Sequence, residues 1–354
     1  MKFRKALLCT LGPSSLNPKV IAQLEAAGAT TFRINMSHTK ARDLERIIRY
    51  VQKHTRVPVS IDTEGAQIRT GEMDGGVTVR AGTQVRLVSR PVNGDATTLP
   101  LTPGNVVEML APGARLSIDF DSVVLRVEGL IDGAAVATVL VGGEVGSRKA
   151  VTALPAPRLP TLSDKDLVAI QIARRNRIRQ YALSFCDDKE SVLRLRKLVG
   201  PRSTIVAKIE SRDGVRNLGE IAQAADGVLI DRGDLSREVR LEAIPLLQKA
   251  IIRKANALGT PVYVATNLLE SMVARRAPTR AEVNDVINTL LDGADGLVLA
   301  AETAIGKYPV EAARMIATLL REYEGSLEGY HIDDLLGDHP LSKAPQAPDL
   351  RRAP

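Results

Sequence analysis

The chain of 354 residues contains no tryptophan, and phenylalanine and tyrosine together supply only 3% of it. Single-stranded nucleic acids are held on aromatic stacking platforms, which this composition does not provide. The formal net charge of +7 suits anionic partners, yet the charges are dispersed along the chain. The densest cluster, Arg174-Arg175-Asn176-Arg177-Ile178-Arg179, falls at the end of an expected helix and reads as a solvated face. Nucleic acid is therefore not an expected partner. No apolar run approaches the ~18–20 residues that cross a bilayer, and Met1-Lys2-Phe3-Arg4 leads into a short strand pattern rather than a signal peptide. A membrane is not expected either. The two cysteines, Cys9 and Cys186, lie in strand-like apolar contexts and read as reduced core thiols of a cytoplasmic protein. Four scattered histidines and no Cys–His cluster argue against a structural zinc site. No P-loop, strand-borne G-x-G-x-x-G or G-x-S-x-G elbow occurs.

What the chain does have is a repeated strand–helix rhythm. Apolar strand patterns at Ala6–Leu11, Thr31–Ser37 and Val57–Thr63 alternate with helical spacing at 17–28 and 40–53. From about 72 to 150 the pattern changes to Val-, Gly- and Thr-rich runs with frequent turn signals and almost no helical period, the mark of a small all-β module. The rhythm resumes with strands at Tyr181–Phe185, Thr204–Ile209, Gly227–Ile230, Pro261–Thr266 and Gly296–Ala301. Helical patterns at 164–178, 189–199, 214–224, 242–258, 280–291 and 309–321 accompany them. Three strands before the insertion and five after it make the eight βα units of a TIM barrel. The continuous apolar runs VYVAT and GLVLA suit parallel strands buried on both faces. The expected architecture is α/β: a (β/α)8 barrel from 1–71 and 151–321, a β-rich lid at 72–150 inserted after strand 3, and a loosely packed tail at 322–354.

In a TIM barrel the chemistry sits where the strands end. The polar residues there are Arg33, Asn35, Ser37 and His38, then Asp62, Thr63 and Arg69, then Lys208 and Glu210, Arg232 and Asp234, Thr266 and Asn267, and Glu302 and Thr303. Lys208 and Glu210 are two apart on one strand and face the same side. Charges on the inner side of a barrel are costly unless paired or bound to something. Either they form a buried ion pair, or Lys208 stands beside a metal-binding carboxylate. Asp234 offers a second carboxylate, and oxygen ligation with open positions suits Mg²⁺ or Mn²⁺.

The stretches CTLGPSS (9–15), RINMSH (33–38), DTEGAQIRTG (62–71), AKIESRDGV (207–215), DRGDLSREV (231–239), ATNLLESM (265–272), PTRAEVNDV (278–286), LDGADG (291–296) and AETAIGKYPVEA (301–312) resemble, in order, those of the pyruvate kinase family. The resemblance runs from near the N-terminus to about residue 320. It implies a barrel with an inserted β lid, and transfer of a phosphoryl group from phosphoenolpyruvate to ADP with Mg²⁺ and commonly K⁺. By position, Glu210 and Asp234 resemble the divalent-metal ligands, and Lys208 the lysine that stabilises the transferring phosphoryl group and the enolate. Thr266 resembles the residue near proton delivery to the enolate carbon. Arg33 and Arg69 resemble phosphate contacts, His38 and Lys149 nucleotide contacts, and Gly233–Asp234 the substrate-carboxylate site. Asn35, Ser37, Asp62 and the Thr63 carbonyl resemble the monovalent-cation site, with Asn35 also beside the nucleotide. A homo-oligomer through the barrel is a further implication.

The chain departs from the family pattern at several of these places. Glu64, Ala66 and Gln67 stand where Lys, Pro and Glu are usual, and Asp187 where an arginine is usual. Asp231 replaces alanine and Ser236 glycine, while Ala300-Ala301 replaces Ser-Gly, Asn267 a glutamine and Phe120 an aspartate of the lid. Only about 33 residues follow the last barrel helix, where the family carries a C-terminal regulatory domain, so a non-allosteric enzyme is expected. Two alternatives stand beside it. One is a divergent enzyme acting on another phosphorylated or enolpyruvyl-type acid, favoured by the changes at 231, 236, 300 and 301. The other is a non-catalytic binding homologue, which would be favoured by loss of Lys208, Glu210 or Asp234.

Overall fold

A computed structural model describes residues 5–326 apart from Ala66 and Phe120, together with Gly329 and Leu336. Eight parallel strands close into a ring: β1 (Ala6–Thr10), β2 (Thr31–Asn35), β3 (Val59–Asp62), β4 (Gln180–Leu183), β5 (Thr204–Ile209), β6 (Gly227–Asp231), β7 (Val262–Ala265) and β8 (Gly296–Leu299). Each neighbour in sequence is a neighbour in space, and β8 returns to β1 with Ala6 opposite Gly296. The helices between them include α1 (Pro18–Ala26), α2 (Ala41–His54), α3 (Asp164–Arg175), α4 (Lys189–Val199), α5 (Leu218–Ala224), α6 (Ile244–Ala257), α7 (Arg280–Leu291) and α8 (Pro309–Ser326). This is the (β/α)8 barrel expected from the rhythm of the sequence.

The alternation of the strands decides what lies inside. Residues such as Leu7, Cys9, Val228, Ile230, Val262, Val264, Leu297 and Leu299 belong to the large apolar core shared with the helices. The alternate positions Leu8, Leu229, Ala265 and Val298 form a separate small cluster, with Ala6, Val206 and Tyr263 packed against it. Period two thus sorts each strand into a helix-facing and a lumen-facing set. Followed toward the C-terminal ends, the second set turns polar: Thr10, Arg33, Asp62, Lys208 and Asp231 are all buried there.

The strands end a little earlier than the apolar patterns imply, at Asn35, Asp62, Ala265 and Leu299, so Ser37, Thr63 and Thr266 lie on the loops beyond and Ala301 opens a short helix, Ala301–Ala304. The helix expected over 214–224 is two pieces, Arg212–Arg216 and Leu218–Ala224, separated at Asn217, whose φ of −94° and ψ of 11° leave the helical region. The helix expected from 242 begins as a 3-10 turn, Leu241–Ala243, and becomes α-helical at Ile244. The last helix continues to Ser326, five residues past the expected boundary. Tyr323 is the reason: it is buried in the core, with Lys5 Nζ 5.9 Å from its ring centroid. The remaining tail, like Ala66 and Phe120, lies almost wholly outside the described residues.

The insertion is a second closed barrel of seven strands with its own apolar core. Its first and last strands are Ile68–Thr70 and Ala150–Leu154, which pair with each other through Arg69 and Ala150. Lid pairing therefore begins and ends a few residues outside the 72–150 span, because these two short strands carry no composition shift of their own. The loop leading into the lid is tied to the barrel by Asp166. This fully buried carboxylate closes the capping box of α3 and accepts the backbone N–H groups of Glu64 at 2.7 Å and Gly65 at 3.0 Å.

Candidate active site

At the C-terminal end of the lumen one ammonium sits among several acids. Lys208 Nζ lies 2.7 Å from Glu210 Oε1, 3.4 Å from Asp62 Oδ1 and 3.7 Å from Asp231 Oδ2, and donates to Ser184 Oγ at 3.1 Å. Burial pulls the lysine toward neutrality, but the carboxylates of Asp62, Glu210 and Asp231 outweigh it and hold the ammonium well above its ordinary range. The lysine is charged at every physiological pH. Arg33, also buried, reaches Asp62 Oδ2 at 3.1 Å and donates from Nε to Thr10 Oγ1 at 2.9 Å. β-Sheet register makes this possible: Arg33 is opposite Thr10 across one pairing, and Asn35 is opposite Asp62 across the next.

Glu210 is buried, and its Oε2 accepts the Phe185 backbone N–H at 2.6 Å. Its Oε1 has no hydrogen-bond partner among the described residues, Lys208 being an ion-pair neighbour without hydrogen-bond geometry. Burial pushes its carboxyl well above the usual range, Lys208 pulls it down, and Asp234 and Asp231 push it up further. Asp234 is raised as well, by burial and then by Asp231, against the pull of Arg237 at 3.0 Å. Oxygens of Glu210, Asp231 and Asp234 all lie within 4.8 Å of one another. Acids crowded in this way need a cation or a proton between them. Three buried or half-buried carboxylates this close, an all-oxygen donor set, fit a hard divalent ion.

Thr266 follows β7 with φ of 76°, a costly conformation for a β-branched residue. Two contacts hold it. Its hydroxyl donates to Asp231 Oδ1 at 2.5 Å, and its carbonyl accepts from Arg232 Nη2 at 2.7 Å and Nε at 3.1 Å. Arg232 is itself gripped by both oxygens of Asp285, at 2.9 and 2.8 Å. Gly233 packs against the threonine so closely that a Cβ there would lie 2.8 Å from Thr266 Cγ2. Glu302, buried after β8, accepts the N–H groups of Leu269 at 3.1 Å and Ala300 at 2.8 Å, and so shapes the adjoining loops.

Lys208, Glu210, Asp62, Arg33, Asp234, Gly233 and Thr266 thus form one contact network. Asn35 Oδ1 accepts the Ser37 N–H at 2.8 Å, and the Thr63 carbonyl accepts the Ser184 hydroxyl at 2.6 Å, beside Asp62. Arg69 reaches Gln67 Oε1 at 2.6 Å; burial and then the nearby Arg237 lower its pKa. Two expected residues stand apart from the network. Lys149 is paired with Asp119 on the lid at 2.7 Å, and His38 is exposed in the turn after β2. Of the expected site residues, Glu210 and Asp234 line the cleft of about 390 Å³ between lid and barrel, whose wall also includes Gln67, Phe185 and Arg237. Three residues of the network were not expected as site residues: Ser184, Asp231 and Arg237. Ser184 follows β4 in the run LSFCDD, and a polar residue directly after an apolar strand is the signal that marks it.

A (β/α)8 barrel with a buried lysine, a crowded set of acids at its strand ends and a lid over them offers what a phosphoryl-transfer enzyme uses: fixed positive charge, oxygen ligands and a cover. Residues 3–313 match the family described as "Pyruvate kinase, barrel domain". The chain is 36% identical over 338 residues to a pyruvate kinase of Thermococcus litoralis, covering 92% of this chain and 71% of that one. It is 35% identical to that of Geobacillus stearothermophilus, covering 93% and 58%, and 38% identical to that of Methylorubrum extorquens, covering 91% and 69%. The chain belongs to the pyruvate kinase family, whose members are kinases that transfer a phosphoryl group. It spans 58–71% of the length of these three relatives.

Proposed function

We propose that the chain transfers the phosphoryl group of phosphoenolpyruvate to ADP, giving pyruvate and ATP. The observation that carries this reading is Lys208, a buried permanent cation held by three carboxylates, at the edge of the crowded acids Glu210, Asp231 and Asp234. In the reaction the phosphorus–oxygen bond to the enol oxygen breaks, a bond to the terminal phosphate oxygen of ADP forms, and the enolate takes one proton at its methylene carbon. Lys208 places positive charge where the phosphoryl group and the enolate oxygen carry negative charge. Glu210 and Asp234 would hold Mg²⁺ or Mn²⁺, which when bound neutralises phosphoryl oxygens. Arg33 and Arg69 supply further charge for phosphate. Gly233, Asp234 and Thr266 form the wall that would face the substrate carboxylate and the carbon to be protonated. His38, Lys149 and Asn35 would approach the nucleotide once the lid closes, Lys149 then exchanging Asp119 for a phosphate. Lid closure excludes water, so the phosphoryl group reaches a nucleotide rather than hydrolysing.

Asn35, Ser37, Asp62 and the Thr63 carbonyl would hold K⁺. The oxygens of Asn35 and Thr63 each already accept one bond, which leaves a second lone pair for the ion. The buried thiols Cys9 and Cys186 support a reducing, cytoplasmic setting. The largely exposed Leu241 and Leu246 are apolar surface that a homo-oligomer through the barrel would cover.

A second reading, another phosphorylated or enolpyruvyl-type acid as substrate, is favoured by one observation. Asp231 puts a carboxylate against Thr266, where a substrate carboxylate would lie. The test is pyruvate formation in a coupled assay with phosphoenolpyruvate, ADP and Mg²⁺, with and without K⁺. Turnover supports the first reading. Its absence, with phosphoryl transfer from ATP to a different enolizable acid, supports the second.

A further inference from the structure

Asp231 is the carboxylate that the reading above leaves without a task. It ends β6, three residues before Asp234, and its side chain enters the lumen from the strand next to that of Lys208 and Glu210. Its two oxygens are in different situations. Oδ1 is engaged by the Thr266 hydroxyl at 2.5 Å. Oδ2 lies 3.7 Å from Lys208 Nζ, beyond hydrogen-bonding reach, and one oxygen of this carboxylate lies within 4.8 Å of oxygens of Glu210 and Asp234. The buried Glu210 belongs to the same cluster; its Oε1 is ion-paired to Lys208 at 2.7 Å but lacks a hydrogen-bond partner among the described residues.

We propose that Asp231 is a third carboxylate ligand of the divalent cation, so that this chain binds the cation tightly before its phosphorylated substrate arrives. Ligand oxygens about 2.1 Å from an octahedral ion lie roughly 3.0 Å apart when adjacent and about 4.2 Å apart when opposite. The three carboxylates are already within 4.8 Å, so small side-chain rotations complete the triad. Thr266 holds one oxygen of Asp231 and so orients the carboxylate. The three acids arrive from just beyond β5, from the end of β6 and from the short helix Arg232–Leu235 that follows it. A site completed this far by protein holds its ion without a substrate phosphate to finish the coordination shell.

The inference rests on the divalent site proposed above, and its test uses no substrate. Mn²⁺ is titrated into the purified chain and into Asp231→Asn and Asp231→Ala. Free Mn²⁺ is read by electron paramagnetic resonance, and inner-sphere water by proton relaxation. Three monodentate carboxylates on a six-coordinate ion leave about three waters, whereas two leave about four. The expected result is three waters in the wild type, at least threefold weaker binding in both variants, and one more water in Asp231→Ala, which has no side-chain oxygen to offer. A wild-type count of four overturns the proposal, even if the variants fail to fold. So does a smaller change in affinity, or weaker binding with an unchanged water count in Asp231→Ala, which marks Asp231 as a neighbouring charge only. A chain that binds Mn²⁺ through three carboxylates yet forms no pyruvate refutes the phosphoenolpyruvate reading and leaves this one standing. Normal turnover with an Asp231→Asn variant silent in Mn²⁺ binding does the reverse.

Discussion

Replacing Lys208 by methionine separates the structural and catalytic roles of this ammonium. Methionine keeps much of the stem and removes the charge. Asp62 retains Arg33 at 3.1 Å, but Glu210 and Asp231 lose their nearest cation, which stood at 2.7 and 3.7 Å. A stranded carboxylate has an escape, which is to take up a proton. At pH 7 that costs about 1.4 kcal/mol for each unit between the pH and the ordinary pKa, or about 4 kcal/mol for one group. The penalty therefore reaches about 3–5 kcal/mol, the usual cost of breaking a buried pair. Its sign with pH follows. The folded variant binds more protons than the unfolded chain, so stability falls as pH rises above about 4 and recovers as pH is lowered toward it. At about 2–4 °C per kcal/mol, the variant should melt roughly 6–20 °C below the wild type at pH 7 without metal. The gap should narrow by pH 5, and divalent metal should restore part of it. Turnover should fall by about 10²–10³-fold at every pH, because charge in the transition state has lost its partner. Thermal melts with and without chelator, beside steady-state assays, read all of this. Melting at the wild-type temperature in chelator at pH 7 would refute the electrostatic argument. Retained turnover would refute the catalytic one.

Other perturbations probe the remaining parts of the site. Gly233→Ala places a Cβ 2.8 Å from Thr266 Cγ2, and should cost about 1–3 kcal/mol by thermal unfolding together with most of the turnover. Asp285→Asn loosens the two-oxygen grip on Arg232, which in turn holds the Thr266 carbonyl. It should lower kcat with little change in KM, and equal changes in both would show that Arg232 acts in binding instead. Because burial and their acidic neighbours raise Glu210 and Asp234, protons compete with the divalent ion. Mn²⁺ affinity measured by calorimetry should weaken as pH is lowered, with proton release on binding; a flat profile would place the ion elsewhere.

The barrel was legible because its signal repeats. Eight apolar strands alternating with helical spacing leave few architectures, and one interruption by turn-rich β sequence marks an insertion. Period two also placed Lys208 and Glu210 on one face, inside the lumen. What sequence could not supply was contact across strands. Arg33 and Asp62 are 29 positions apart and meet only because adjacent strands set them in register. Ser184 reaches Lys208 from β4 by the same route. Helix ends depart from the spacing where a single side chain decides them, as Tyr323 does by anchoring α8 beyond residue 321.

Asp231 shows where reading positions by resemblance stops being informative. As one letter in DRGDLSREV it is only a change from alanine. In the fold it alters the charge of the whole site. Four carboxylates, Asp62, Glu210, Asp231 and Asp234, face three cations, Arg33, Lys208 and Arg237, which leaves one formal negative charge. Without Asp231 the same set is neutral. A divalent ion then gives a site of charge +1 with Asp231 and +2 without it. A more negative site favours the cation and disfavours a highly anionic substrate, in a buried setting where charges are weakly screened. Metal affinity and substrate charge are therefore coupled through this residue: the Asp231→Ala variant, which weakens the metal site, is also the one that should improve the affinity of a trianionic substrate once saturating metal is supplied.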